Sequence, residues 1–413
     1  MRLLIILFLV FITSGYGQSI TDQEREQAWK EYVEQIRNDS ERQKEHNSKT
    51  ISYNDKTLRY EAKKVGTLDK NGMPLYIALH GGGGAPPKLN DSQWEHMKVY
   101  YLSSIKQGIY IAPRGVTDTW NLHFVPESYV LYDKLIENMV AFEGVDPNRV
   151  YIMGFSAGGD GTYQVSTRMA DRWAAAAMSA GHHNNVSPRN LYNLPMLLQV
   201  GDNDKAYNRN LVTVEYGERL QKLQDQEKTG YKHQLNVHYK RGHNFLDNHP
   251  KEPMQKVISN PEEWAKNGPA KVKDLNTNSI SWLKNFARNP LPQRVIWDTK
   301  TKAKREGVRE LRHYWLGVSE NTESEIIASY DKKQKSITVE KAVDGMLIFL
   351  NAKMMDLSGP VSVKIDNKDF SVKPVSSVEN LKKTLKERGD KNYMFEVILK
   401  LTKKDSFWSI ESL

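Results

Sequence analysis

The sequence predicts an α/β fold with a mostly parallel sheet wrapped by helices, followed by a smaller β-rich region. Between residues 75 and 290, short apolar segments alternate with helical patterns, which is typical of parallel strands joined by crossover helices. Beyond residues 289–292 (Asn-Pro-Leu-Pro), short strand-like segments follow, separated by turn signals such as Asp344-Gly345. At 413 residues the chain is long enough for two domains.

The first elements are a helix and a hairpin. Residues 21–43 are rich in charge, and we predict one amphipathic helix within a segment at 18–48 that leans on the main domain. Its apolar residues at helical spacing are Trp29, Tyr32, Val33 and Ile36. Residues 51–53 and 57–61 flank a turn signal, which predicts a β-hairpin.

An α/β domain at 49–290 follows from the alternation of elements. We expect its strands at 75–79, 108–112, 149–153, 174–178, 195–200 and 233–239. We expect its helices at 92–106, 127–142, 164–172, 210–226 and 279–288.

The β-rich region at 291–413 is expected to form an appended, sandwich-like domain with one helix at 378–388. Its expected strands are 294–297, 313–318, 325–330, 336–340, 345–350, 361–365 and 395–401.

The N-terminus has the pattern of a cleavable signal peptide at 1–17. Met1-Arg2 precede ten apolar residues, and small residues before Gln18 suit cleavage near Gly17/Gln18. Ten apolar residues are too few to span a bilayer, so we expect no stable membrane anchor. The absence of cysteine means that an exported chain would need no disulfides. We therefore expect a secreted or periplasmic protein.

The charge pattern argues against a nucleic-acid partner. The formal net charge is +9, but lysine and glutamate are interspersed and form no basic face with interleaved aromatic residues. Nor does the sequence show a motif that requires a cofactor. The oligomeric state is not readable from the sequence.

The most informative motif is a G-x-S-x-G at residues 154–158. Ser156 lies between a strand-like segment and a helix, and a glycine lies two residues to either side of it. Such a strand-to-helix turn is too tight for a Cβ at the flanking positions, and it exposes the serine hydroxyl above the end of a sheet. A serine hydroxyl at its ordinary pKa is a poor nucleophile, so this interpretation requires a base and an oxyanion site.

Backbone donors for an oxyanion are expected in a glycine run after the strand at 75–79. The run follows His80, and we predict that the amides of Gly82 or Gly83, together with that of Ala157, face a reacting carbonyl oxygen. A phosphate-binding loop is the alternative, but the lysine and hydroxyl of a P-loop are missing.

The acid and the base are expected after later strands. Asp202 and Asp204 both follow the strand at 195–200; we favour Asp204 because the loop has cleared the strand end there, and Asp202 suits a turn. Among 11 histidines, His243 follows a glycine at the end of the strand at 233–239, whereas His233 and His238 lie inside that strand. The order Ser156, Asp204, His243 is the α/β-hydrolase order.

On these motifs the chain resembles the secreted α/β-hydrolases described as polyhydroxybutyrate-depolymerase-like or feruloyl-esterase-like. The resemblance covers residues 75–245 and depends on the motifs at 80–84, 145–159 and 241–243. It implies an exported serine esterase with Ser156 as nucleophile, His243 as base and Asp204 as acid. It also implies ester substrates such as feruloyl or acetyl esters of plant polysaccharides, or hydroxyalkanoate oligomers.

Three further residues are candidates for substrate binding: Trp120, His123 and His182 lie in loops after strands, and carboxyl ends of parallel strands face the site in such sheets. We expect no metal, because the adjacent pair His182-His183 would point to opposite sides of an extended chain. Two other functions stay open: an exported glycan- or partner-binding protein with a vestigial hydrolase domain, and a peptidase of the same fold.

Overall fold

The structure, a computed structural model, describes residues 20–68, 70–249, 254–301, 311–319 and 322–413. The predicted signal peptide at 1–17 lies outside the described residues. In the described part of the chain, no helix is both long and apolar enough to cross a membrane.

A ten-stranded sheet forms the centre of the first part of the chain. Its strands are β1 (Thr50–Tyr53), β2 (Lys56–Val65), β3 (Met73–Leu79), β4 (Gly108–Pro113), β5 (Val145–Phe155), β6 (Ala175–Ser179), β7 (Met196–Gly201), β8 (His233–His238), β9 (Met254–Ile258) and β10 (Val272–Asn276). The helices are α1 (Asp22–Asn38), α2 (Ser40–Ser48), α3 (Pro87–Tyr100), α4 (Pro126–Glu143), α5 (Ala157–Arg168), α6 (Arg209–Glu227), α7 (Pro261–Asn267) and α8 (Ser279–Leu283).

The strand order is β1-β2-β4-β3-β5-β6-β7-β8-β9-β10. The six strands from β4 to β8 pair in parallel, and the two strands at each edge pair antiparallel. All six parallel strands therefore end at the same edge of the sheet, where loops from several of them can converge.

Helices cover both faces of this sheet. Along β5, Val150 and Ile152 belong to the core beneath α4, whereas Tyr151 and Met153 belong to the core beneath α3 and α8. The alternation follows from the two-residue period of a strand. It gives the α/β-hydrolase architecture that the sequence predicts.

The second part of the chain contains two five-stranded sheets, with the orders β11-β14-β15-β17-β18 and β12-β13-β16-β19-β20. Their strands are β11 (Arg294–Asp298), β12 (Arg312–His313), β13 (Leu316–Val318), β14 (Glu325–Asp331), β15 (Ser336–Lys341), β16 (Met346–Leu350), β17 (Val361–Ile365), β18 (Lys368–Val372), β19 (Val397–Lys404) and β20 (Phe407–Ser412). Side chains from both sheets, such as Trp297 and Leu399, share one core, and α9 (Val378–Arg388) lies where the sequence predicts a helix.

Buried ion pairs join the two parts. Asp390 lies 2.6 Å from the guanidinium of Arg288, and Arg388 pairs with Asp171. Charges removed from water need such partners, so the loss of one partner would leave an uncompensated buried charge where the two parts meet.

Several element boundaries differ from those predicted. The single helix expected at 21–43 is two helices, because Asp39 adopts an extended conformation and its side chain caps α2 by accepting from the amides of Glu41 and Arg42. Helix α3 begins at Pro87, a favoured first helical residue, five residues earlier than expected. The helix expected at 279–288 ends at Leu283. Four strands and one helix were not predicted: β9, β10, β18, β20 and α7.

Candidate active site

Ser156 lies on a tight turn between β5 and α5. Its φ of 59° and ψ of −122° are unfavourable for a residue with a Cβ, and such strain of about 1–3 kcal/mol is typical of functional sites. A Cβ on Gly154 would lie 2.2 Å from the carbonyl oxygen of Gly158, and a Cβ on Gly158 would lie 2.0 Å from that of Leu79. Both positions therefore require glycine, for the steric reason that the motif suggests.

The structure brings Ser156, His243 and Asp204 together in one hydrogen-bonded chain. The Ser156 Oγ lies 2.9 Å from Nε2 of His243, and Nδ1 of the same ring lies 2.8 Å from Oδ2 of Asp204. The Asp204 carboxylate is buried, whereas the His243 side chain is 37% exposed. The histidine is thus oriented from the interior and accessible from solvent, as a general base must be.

The two competing aspartates have different partners. Asp202 accepts a hydrogen bond from the backbone amide of Arg241 at 3.0 Å and another from the side chain of Asn203. It therefore stabilises the loop that leads to His243 and does not contact the histidine ring. Asp204 alone of this pair contacts His243, and the guanidinium of Arg209 lies 3.9 Å from its other oxygen.

One predicted oxyanion donor is already occupied. The amide of Gly83 donates to Oδ1 of Asn90 at 2.9 Å, so in this structure it already has an acceptor within the protein. The amides of Gly82 and Ala157 fit better. Gly82 has a φ of 106° that favours glycine, and Ala157 is the first residue of α5, where helix amides have no intrahelical carbonyl to bond.

His80 holds the glycine run in place. Its Nε2 accepts from the amide of Gly115 at 2.9 Å, so its Nδ1 carries the proton and donates to the carbonyl oxygen of Gly81 at 2.6 Å. Burial lowers the pKa of His80 to about 4, which keeps the ring neutral near pH 7 and suits this pattern.

A cleft of about 530 Å³ opens onto Ser156 and His243. One wall is a face of α3, which includes Leu89, Met97 and Tyr100, and the other is the loop after His243. The remaining lining residues are Gly81, Gly82, Gln93, His96, Phe155, Asn244, Phe245 and Leu246. The volume and the apolar lining suit a small organic ligand.

The three predicted substrate-binding residues do not line this cleft. His123 is fully buried, its Nε2 lies 2.8 Å from the carbonyl oxygen of His80, and burial lowers its pKa well below the ordinary value. His182 is held beside α5, because its backbone amide donates to the carboxylate of Asp160 on that helix at 2.7 Å. Trp120 is 57% exposed beside the backbone of Gly83, outside the cleft.

The sequence interpretation missed the α3 wall and Asn90. Leu89, Gln93, Met97 and Tyr100 recur at helical spacing, and this signal was hidden because the helix was predicted to start at residue 92. In the described part of the chain, no group of three or more His, Cys, Asp or Glu side chains is arranged to hold a metal ion.

Residues 120–287 match the model of the dienelactone hydrolase family. This part of the chain, less than half of its length, is therefore similar to that family.

One curated relative is the bifunctional acetylxylan esterase/xylanase XynS20E of Neocallimastix patriciarum, which is 28% identical over 138 residues. The match covers 33% of this chain, and the chain spans only 20% of the relative's length.

Two solved structures are similar over about the same share of the chain. A thermostable esterase is 18% identical with a TM-score of 0.37, covering 58% of this chain and 62% of its own. LpqC, a poly(3-hydroxybutyrate) depolymerase from Bordetella parapertussis, is 16% identical with a TM-score of 0.37. The match covers 57% of this chain and 93% of the LpqC chain.

Proposed function

We propose that this protein is an exported serine esterase that hydrolyses carboxylic esters through an acyl-enzyme on Ser156. The observation that carries the proposal is the continuous chain of hydrogen bonds from Ser156 through His243 to the buried Asp204. This chain of hydrogen bonds lies at an apolar cleft that Gly82 also lines, and acyl transfer needs such a binding cleft beside the nucleophile.

In the first step, Ser156 Oγ attacks the ester carbonyl carbon while Nε2 of His243 takes the hydroxyl proton. The amides of Gly82 and Ala157 stabilise the oxyanion, and Asp204 keeps the imidazole in the tautomer that accepts at Nε2. The intermediate collapses, the C–O bond to the alcohol breaks, and the leaving alkoxide takes the proton from His243.

In the second step, water attacks the acyl-enzyme with His243 again as base. The carboxylic acid leaves and Ser156 recovers its proton. Apart from the ester and water, these steps use only side chains and backbone amides of this chain.

For the substrate, we propose esters linked to plant polysaccharides, feruloyl or acetyl, or hydroxyalkanoate oligomers. The acetylxylan esterase activity in the name of the relative from Neocallimastix patriciarum supports the first class. The volume of the cleft, about 530 Å³, and the side chains of Met97, Tyr100 and Phe245 in its walls support an acyl group larger than acetyl.

The proposal is tested with a fluorophosphonate probe and p-nitrophenyl esters on the chain without residues 1–17. We expect labelling and turnover by the wild type and neither by Ser156→Ala with an unchanged circular dichroism spectrum. Turnover retained in the variant, or no labelling of the wild type, would overturn the proposal; the latter favours a vestigial hydrolase. Acetylated xylan, feruloylated sugars, hydroxybutyrate oligomers and a dipeptide amide then separate the substrate classes.

Export is tested separately. The pattern at 1–17 predicts a mature protein that begins at Gln18 and is recovered outside the cytoplasm. Cell fractionation followed by N-terminal sequencing measures the compartment of the protein and its first residue. An uncleaved chain in the cytoplasm would contradict export.

A further inference from the structure

The loop that carries His243 has no helix or strand from Arg241 to His249, so other contacts must hold the histidine in position. On the N-terminal side, the amide of Asn203 donates to the carbonyl oxygen of Arg241 at 2.8 Å, and Arg241 donates to Asp202. On the C-terminal side, the structure places a fully buried carboxylate, Asp247, four residues after His243.

Four hydroxyl groups from three elements surround the Asp247 carboxylate. Tyr100 and Tyr101, at the end of α3, donate at 2.9 and 2.7 Å. Ser179, at the end of β6, donates at 2.5 Å, and Ser279, at the start of α8, donates at 3.3 Å. A carboxylate has only acceptor positions, so it can take all four bonds at once, and charge-assisted bonds of this kind are strong.

Asp247 is buried without a cationic partner among the described residues, and this burial raises its pKa. Such a carboxyl is unfavourable for folding unless hydrogen bonds compensate for lost hydration. Its backbone is also used, because its carbonyl oxygen accepts from the amide of Ser279 at 2.7 Å. The acyl-transfer steps described above give this residue no role.

Ser179 connects this cluster to the nucleophile. Its hydroxyl donates to Asp247, and its carbonyl oxygen accepts from the amide of Ser156 at 3.0 Å. Tyr100 makes a second connection, because its ring lies edge-on to Phe155, with centroids 5.9 Å apart, and lines the cleft. One carboxylate thus joins the histidine loop, the serine turn and a cleft wall.

We propose that Asp247 is a positioning residue that sets the distance between His243 and Ser156 by tying the histidine loop to Ser179. The expected effect on turnover rests on the proposed function, whereas the expected effect on the mobility of the histidine loop does not. Because a displacement of about 1 Å between reacting groups lowers rates roughly 100-fold, loosening the loop lowers the turnover number.

The test compares Asp247→Asn with Asp133→Asn, a control at another buried carboxylate, which pairs with Arg172 away from the cleft. An asparagine side chain keeps the shape but has one oxygen acceptor in place of two. We expect kcat to fall between about 10- and 100-fold in Asp247→Asn, with KM changed less than about threefold. We expect the control to keep the kcat of the wild type even where its melting temperature falls. Equal kcat in the Asp247 variant and the wild type would overturn the proposal.

Hydrogen exchange of the amides at 242–248 is the second readout. We expect faster exchange in Asp247→Asn than in the wild type, and unchanged exchange there would also overturn the proposal. This measurement needs no activity, so an inactive wild type contradicts the proposed function and leaves the loop measurement decisive. If Asp247→Asn does not fold, the variants Tyr101→Phe and Ser279→Ala each remove one hydrogen-bond donor to Asp247. A lower kcat with faster exchange in these variants would support the proposal. A kcat and an exchange rate equal to those of the wild type in both variants would overturn it.

Discussion

Asp202 and Arg241 are joined by a hydrogen bond of 3.0 Å, from the backbone amide of the arginine to the carboxylate, two residues before His243. The bond separates the roles of two aspartates that lie one residue apart. Asp202 supports the backbone of the histidine loop, and Asp204 contacts the imidazole itself. One aspartate therefore supports the site by holding the backbone of the loop, and the other supports it by holding the imidazole ring.

Asp204→Asn is expected to lower kcat about 10⁴-fold, because the amide nitrogen would face Nδ1 of His243 and favour the wrong tautomer. Asp202→Asn is the matched control and is expected to stay within about threefold of the wild type, since the amide oxygen still accepts from Arg241. Steady-state hydrolysis of a p-nitrophenyl ester measures both. A larger loss in Asp202→Asn than in Asp204→Asn would reverse the assignment of the acid.

Asn90→Ala is expected to lower kcat between about 10- and 100-fold by releasing the amide of Gly83 and loosening the loop that presents Gly82. Asn90 also donates to the carbonyl oxygen of Ala85 and to Asp118, so its side chain joins three segments. The control is Asn138→Ala, which removes another buried amide, one that is bonded to Arg42 and Glu45 and does not line the cleft. Steady-state kinetics and thermal melting are measured for both variants, and only Asn90→Ala is expected to lose kcat. An unchanged kcat in Asn90→Ala would contradict this role.

Gly158→Ala is expected to destabilise the fold by about 3 kcal/mol, because the new methyl would meet the backbone of Leu79 at 2.0 Å. Gly242→Ala is the control. It precedes His243, but a Cβ there meets nothing within 4 Å, so the change is expected to stay within about 0.5 kcal/mol. Urea denaturation of both variants measures the free energies of unfolding, and equal values would show that the turn tolerates a Cβ.

Stability is expected to fall as the pH decreases below about 6.5. Burial lowers the pKa of His313 to about 4, so between these values the unfolded chain binds a proton that the folded chain does not. The contribution is fully present above pH 6.5 and is lost at about 1.4 kcal/mol per pH unit on acidification. Burial also lowers the pKa of four other histidines: His80, His123, His183 and His238.

His313→Gln tests this linkage, because it removes one of the titrating groups. Melting temperatures measured between about pH 7 and pH 4.5 should fall less steeply in the variant than in the wild type. Parallel curves would show that His313 does not contribute.

Much of the fold could be predicted because its signals are local. The strand before Ser156, the flanking glycines and the order of Ser156, Asp204 and His243 are all visible in short stretches of sequence. The break between α1 and α2 was missed, although Asp39 is a good helix cap, because the charge-rich pattern continues across it. The division at residues 290 and 291 stays a prediction.

The sequence by itself determined that a serine would lie on a strand-to-helix turn, because the sterics of that turn involve only neighbouring residues and the glycines they demand. Only the tertiary structure decided which groups meet it. The amide of Gly83 bonds to Asn90 because α3 starts early enough to place that side chain beside it. Asp247 meets Tyr101 across 146 positions of the chain, a contact that no local pattern encodes, because it depends on how the sheet and its helices pack.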